Sequence, residues 1–165
     1  VEIEVRRGDI TTVEVEAIVT AANRELVGGG GVDAAVHRAA GPELLAALRP
    51  LAPTPPGSAV ITPAFRLYPP IRYVVHAVGP RYGVDDPAEE LLAAAYRSSL
   101  LRCDETGVGS VAFPAISAGV YGYPPKEACR VSVQALRTAD TRVRRCLLVA
   151  FGDQMYDLWR EALGQ

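Results

Sequence analysis

Cysteine is scarce and badly spaced for covalent or metal chemistry: Cys103, Cys129 and Cys146 are odd in number, far apart and form no CxxC pair. That excludes a disulfide framework and a structural zinc site, and it points to reduced thiols in a cytoplasmic protein. No apolar run approaches the roughly 20 residues that a spanning helix needs, so no membrane partner is expected. The opening VEIEVRRGD alternates apolar and charged side chains and reads as a strand, not as a signal peptide. An excess of one charge is missing too. The formal net charge of −2 gives no global pull toward nucleic acid. Arg137, Arg142, Arg144 and Arg145 gather locally, as a solvated helix-to-strand connection would. Proline clusters at Pro53, Pro55, Pro56, Pro69 and Pro70, in groups too short for a linker, and so punctuates loops. What remains is ordinary: 165 residues, 49% hydrophobic and 22% charged, predict one folded domain spanning 1–165.

Along the chain, apolar alternation predicts a half-buried strand over 1–6, broken at Gly8-Asp9. A continuously apolar strand follows over 13–22, the two forming a hairpin-like pair. Helices are predicted over 33–40 and 42–51, then strands over 58–63 and 72–78. Asp86 as N-cap, Pro87 at the first helical position and Glu89 closing a capping box start the next helix, which stops at Gly107. A strand over 110–113, a helix over 124–139, a strand over 145–151 and a helix capped by Asp153 complete the chain. Strands alternating with helices predict an α/β protein, a three-layer α/β/α sandwich with a mixed, largely parallel sheet.

Two glycine-bearing loops carry the chemistry. Gly28, Gly29, Gly30 and Gly31 lie between an apolar strand and a helix opening at Val32 and Asp33. Four glycines in a row cost backbone entropy on folding. A fold tolerates that where the chain turns tightly or lies directly against a ligand. A helix N-terminus behind such a loop supplies unpaired N–H groups and a positive dipole end, which suits a phosphate. Ser117, Ala118, Gly119, Val120, Tyr121 and Gly122 repeat the plan before Pro124. On the carboxyl edge of one sheet the two loops would clasp a diphosphate; alone, the 119–122 loop reads equally as a tight turn, whereas the four-glycine run before a helix favours a ligand. A P-loop is excluded, because Val32 and Asp33 stand where Lys and Ser or Thr are needed. A dinucleotide fingerprint lacks its third glycine at Asp33. Any phosphate here is therefore held by backbone N–H groups, without lysine.

Asp33 has two readings: a dipole-favoured charge worth about 0.3–1 kcal/mol, or a carboxylate that polarises water. Asn23 is either a turn residue bonding its own backbone or an amide that holds a ribose hydroxyl or that water. His37, at i+4 from Asp33, fits a structural hydrogen bond better than catalysis. Asp9 fits a turn, or an acceptor for an exocyclic amine such as that of adenine. Phe151 fits the core, or a stacking surface for a base.

These pieces together resemble the macrodomain family and, within it, the MacroD-type branch. The match runs through Gly8-Asp9-Ile10-Thr11, Ala21-Ala22-Asn23, Gly28 to Asp33, His37-Arg38-Ala39-Ala40-Gly41, His76-Ala77-Val78-Gly79-Pro80 and Phe113 to Pro124. The resemblance implies an ADP-ribose site. Asp9 would receive the adenine amino group, with the Ile10 backbone beside it and Phe151 near the ring. Ala22, Asn23, the Gly28–Gly31 loop with Val32 and Asp33, and Ser117, Ala118, Gly119, Val120 and Tyr121 would enclose the diphosphate and distal ribose. It also implies hydrolysis of ADP-ribose esters, either O-acetyl-ADP-ribose or mono-ADP-ribose on acidic side chains, with Asn23 and Asp33 as the catalytic pair. No metal or redox cofactor is called for. The alternative is a non-catalytic reader of ADP-ribose. Two departures stand out: Thr20 where the family has Asn, and Ala118 where it has Thr. Neither is expected to touch Asn23 or Asp33, and Thr20 is expected to act on distal-ribose positioning.

Overall fold

The computed structural model describes residues 1–165 as six strands and five α-helices with three short 3-10 turns. Strands β1 (Glu2–Arg7), β2 (Ala17–Ala21), β3 (Ala59–Pro63), β4 (Tyr73–Ala77), β5 (Ser110–Phe113) and β6 (Arg145–Ala150) form one sheet, ordered β1-β6-β5-β2-β4-β3. Every neighbouring pair is parallel except β3 and β4. The mixed, largely parallel sheet is as the alternation predicts.

The hairpin-like pairing of the first two strands does not form. β1 lies on the far edge against β6, with β6 and β5 between it and β2. The connecting residues explain this. Asp9 caps a 3-10 turn over Ile10–Thr12 by accepting from the Thr11 N–H, and Ile10, Val13 and Val15 are buried against one face of the sheet. Those apolar residues are spent on packing, so β2 is shorter than the predicted 13–22.

Side-chain alternation along each central strand feeds two cores. Ala17 and Val19 of β2, Val75 and Ala77 of β4, and Val111 and Phe113 of β5 face one core. Ile18, Val74 and Ala112 face the other. The first core is covered by α3 (Ala88–Thr106), α4 (Pro125–Thr138) and α5 (Asp153–Leu163), and the second by α1 (Gly31–Ala40) and α2 (Glu43–Leu48). Each fully buried Leu, Ile or Val contributes about 1.5–3 kcal/mol of transfer free energy. Trp159, fully buried, satisfies its indole N–H on Ser132 Oγ at 3.0 Å.

Helix starts differ from the sequence reading where tertiary contacts take the expected caps. Pro87 is extended (ψ 122°), so α3 begins at Ala88 without a side-chain cap from Asp86. Glu89 turns instead to Arg130 on α4. Gly152, not Asp153, is the N-cap of α5. The Asp153 carboxylate pairs with Arg7 across the β1 edge. The helix predicted over 42–51 ends at Leu48 and tightens into a 3-10 turn over Arg49–Leu51, because Pro50 has no N–H to continue the ladder. No helix is long and apolar enough to cross a membrane.

From β2 the chain moves outward toward β4 and β3, then returns to place β5 on the other side of β2. Here the strand order reverses. The helix after β2 covers one face and the helix after β5 the other, so their leading loops part at the carboxyl edge and leave a crevice.

Candidate functional site

The first wall of that crevice is the glycine loop. Its last residues build an unusual helix start: the N-cap of α1 is Gly30, which has no side chain to cap the first turn. The N–H groups of Gly30, Gly31 and Val32 find no acceptor within the protein. Gly28 (φ 85°) and Gly31 (φ 58°) occupy the left-handed region, where a β-carbon is penalised.

The second wall follows β5. Gly122 N–H donates to the Gly119 carbonyl at 3.0 Å and Tyr123 N–H to the Ser117 carbonyl at 2.9 Å, closing the turn. The N–H groups of Gly119, Val120 and Tyr121 are left without an acceptor. Ser117 itself is left-handed (φ 66°). Its position depends on Gly79, where a β-carbon would fall 2.2 Å from Ser117 Oγ.

A cleft of about 440 Å³ lies between the walls. It is lined by Asn23, Gly29, Gly30, Gly31, Val32 and Asp33 from the first side, and by Ser117, Ala118, Gly119, Val120 and Tyr121 from the second. Phe151 also lines it and is 93% exposed, so the core reading of that ring fails and its face is open to a base. Burial holds the Tyr121 phenol above its ordinary pKa.

Asp33 is 2% exposed, and both its oxygens are engaged. Oδ1 accepts from the Thr20 hydroxyl at 2.8 Å and Oδ2 from the Gly29 N–H at 2.8 Å. The second bond resembles the returning half of a capping box, displaced by one residue. Each oxygen keeps one further lone pair. The expectation for Thr20 is thus overturned. Thr20 is fully buried and touches Asp33 directly, so it acts on the carboxylate and not on a ribose. His37 Nε2 stands 3.7 Å from Asp33 Oδ1, too far for the expected hydrogen bond but near enough to feel the charge. Asn23 fulfils its turn reading, donating to the Gly28 carbonyl at 3.0 Å and accepting from Val27 N–H at 3.1 Å. It still lines the cleft with a second amide hydrogen to offer.

Four expected ligand residues do not line this cleft: Asp9, Ile10, Ala22 and Gly28. Asp9 Oδ1 is occupied by the Thr11 N–H and hydroxyl, at 2.9 and 2.7 Å. The side chains of Ile10 and Ala22 are buried in the core on the α1 face, while the Ile10 N–H has no acceptor within the protein. Gly28 turns its carbonyl to Asn23. The cleft is also lined by residues that the sequence did not assign to the ligand: Ala21, Pro114 and Ala115, which belong to the matched motifs, and Val149 and Met155, which do not. Ala21 and Val149 sit near strand carboxyl ends, which the switch-point rule would have flagged; Met155 on α5 carries no such signal. No three His, Cys, Asp or Glu side chains converge anywhere as a metal site would need.

The Macro domain family model matches residues 19–132. The O-acetyl-ADP-ribose deacetylase of Klebsiella pneumoniae is 47% identical over 171 residues, covering 99% of this chain and 97% of that protein. A Macro domain-containing protein of Lactiplantibacillus plantarum is 48% identical over 168 residues, covering 99% of this chain and 96% of its own. Among solved structures, a mutant Oceanobacillus iheyensis macrodomain with ADPR superposes with a TM-score of 0.92 at 39% identity, covering 98% of this chain and 91% of that one.

Proposed function

The chain belongs to the macrodomain family, and from that premise we propose that it binds ADP-ribose and hydrolyses ADP-ribose esters. The observation that carries this reading is a buried carboxylate, Asp33, fixed at both oxygens between two loops of unpaired backbone amides. Full-length similarity to proteins named O-acetyl-ADP-ribose deacetylase supports the reaction class.

Each residue then has a task. The N–H groups of Gly30, Gly31 and Val32, and of Gly119, Val120 and Tyr121, hold the diphosphate and spread its charge. Asn23 turns its spare amide hydrogen to the distal ribose. Asp33 uses its remaining lone pairs to hold and orient water, while Thr20 and the Gly29 amide keep it from rotating. Water adds its oxygen across the ester, the ester C–O bond breaks, and the proton passes to the departing oxygen. One water is consumed and ADP-ribose leaves with a carboxylic acid. We assign both O-acetyl-ADP-ribose and mono-ADP-ribosylated carboxylates of proteins as substrates. Three buried cysteines without a disulfide support a reducing compartment such as the cytoplasm.

Asp33→Ala is expected to lower single-turnover release of ADP-ribose from O-acetyl-ADP-ribose by at least about 100-fold, with free ADP-ribose binding within a few-fold of wild type. Unchanged turnover refutes the assignment. The engagement of both Asp33 oxygens also favours a second reading, a reader that binds ADP-ribose without turnover. The same assay decides it: binding without product from the wild type favours the reader.

A further inference from the structure

A second cavity, of about 260 Å³, opens beside the ligand cleft; its lining includes Arg24, Glu25, Gly79, Arg81, Asp85 and Tyr121. Three features join the two. Tyr121 lines both. Gly79 lies against Ser117, which lines the cleft. Arg24 and Glu25 directly follow Asn23, so the cavity adjoins the end of the cleft where the distal ribose is assigned.

We infer that this cavity is an acceptor subsite, holding the polypeptide that flanks an ADP-ribosylated side chain while the nucleotide fills the main cleft. The inference rests on the ADP-ribose reading above. Its charges sort into two kinds. Arg81 is committed internally: its backbone N–H and Nε reach Asp85 Oδ2 at 2.9 and 3.0 Å, and its Nη2 reaches Oδ1 at 3.1 Å. The same loop is tied to the second glycine loop by Tyr82 N–H donating to the Tyr121 carbonyl at 2.8 Å. Arg24 and Glu25 are exposed, and their side chains make no hydrogen bond or ion pair within the protein. One free cation and one free carboxylate thus line a braced cavity.

That pairing selects the ligand class. An acetyl group would leave most of the space as water. A nucleic-acid end would bring phosphates toward Glu25 and Asp85, with only Arg24 uncommitted to receive them. A polypeptide offers carbonyls or an acidic side chain to Arg24 and N–H groups to Glu25, and its apolar atoms meet Pro56 and Val78.

The test is calorimetry with three ligands: free ADP-ribose, a peptide carrying ADP-ribose through a non-hydrolysable amide, and an oligonucleotide carrying ADP-ribose at its end. Wild type is expected to bind the peptide conjugate about five- to tenfold more tightly than ADP-ribose. Arg24→Ala/Glu25→Ala is expected to erase that gain while leaving ADP-ribose affinity within twofold. Both positions are exposed, so the fold is not at stake. Equal affinity for conjugate and free ADP-ribose in wild type, or a gain that survives the double substitution, overturns the subsite. A gain for the oligonucleotide instead overturns the polypeptide assignment. A wild type that binds no ADP-ribose overturns the underlying reading, a failure distinct from the others.

Discussion

Thr20 and Asp33 meet although they belong to different elements, one near the end of β2 and the other in the first turn of α1. The hydroxyl is one of two donors that hold the carboxylate. Thr20→Val keeps the shape and removes that donor, and it is expected to lower kcat about tenfold with KM nearly unchanged. Thr20→Ser should restore it. Equal kcat in wild type and Thr20→Val overturns the positioning role. Asp33 itself was legible in the sequence, because a carboxylate straight after a phosphate-type glycine loop asks for an explanation. Its partner was not. No local period links the two residues, and only the packing of α1 onto the sheet brings them together. Phe151 was legible only as an alternative, since an aromatic at the end of an apolar run is ordinarily core.

At the scale of elements, the strand–turn–helix rhythm was readable throughout, and the three-layer arrangement follows from it. Edges and caps were less readable. The place of β1 beside β6 depends on a sheet register set by residues more than a hundred positions apart. The cap expected at Asp86 lost to a proline backbone and to the pull of Arg130 on Glu89. Contact between the loop after β4 and the loop after β5 was equally hidden, yet it sets the second wall of the cleft. Gly79→Ala puts a methyl group 2.2 Å from Ser117 Oγ and 2.5 Å from Ile116 Cγ2. Overpacking of that kind costs about 1–3 kcal/mol. A fall in Tm of several degrees is expected, with ADP-ribose affinity reduced about tenfold as the loop shifts. Wild-type affinity for ADP-ribose in Gly79→Ala, measured by calorimetry, would show that the loop contact does not shape the site.

The whole molecule hangs on one sheet shared by two cores, and a histidine is buried within it. His76 on β4 is fully buried; its Nε2 bonds the Thr62 hydroxyl at 2.9 Å, while Nδ1 has no partner. Burial first, and the neighbouring His37 second, lower its pKa from 6.5 to about 3. The unfolded chain therefore takes up this proton near pH 6.5 and the folded chain only near pH 3. Stability is fully present above the upper value and drains away as pH falls through the window. From pH 7 to pH 5 the loss is about 2 kcal/mol. Urea unfolding at the two pH values should show it, and His76→Gln should flatten the difference. Parallel losses in both proteins would assign the effect elsewhere. The bare start of α1 has a cost of its own on this scale. A serine at position 30 would meet no obstruction and would add a few tenths of a kcal/mol by capping the first turn. The glycine forgoes that gain and leaves idle the amides we propose as the grip on the nucleotide. A sturdier protein at this position would be a poorer receptor.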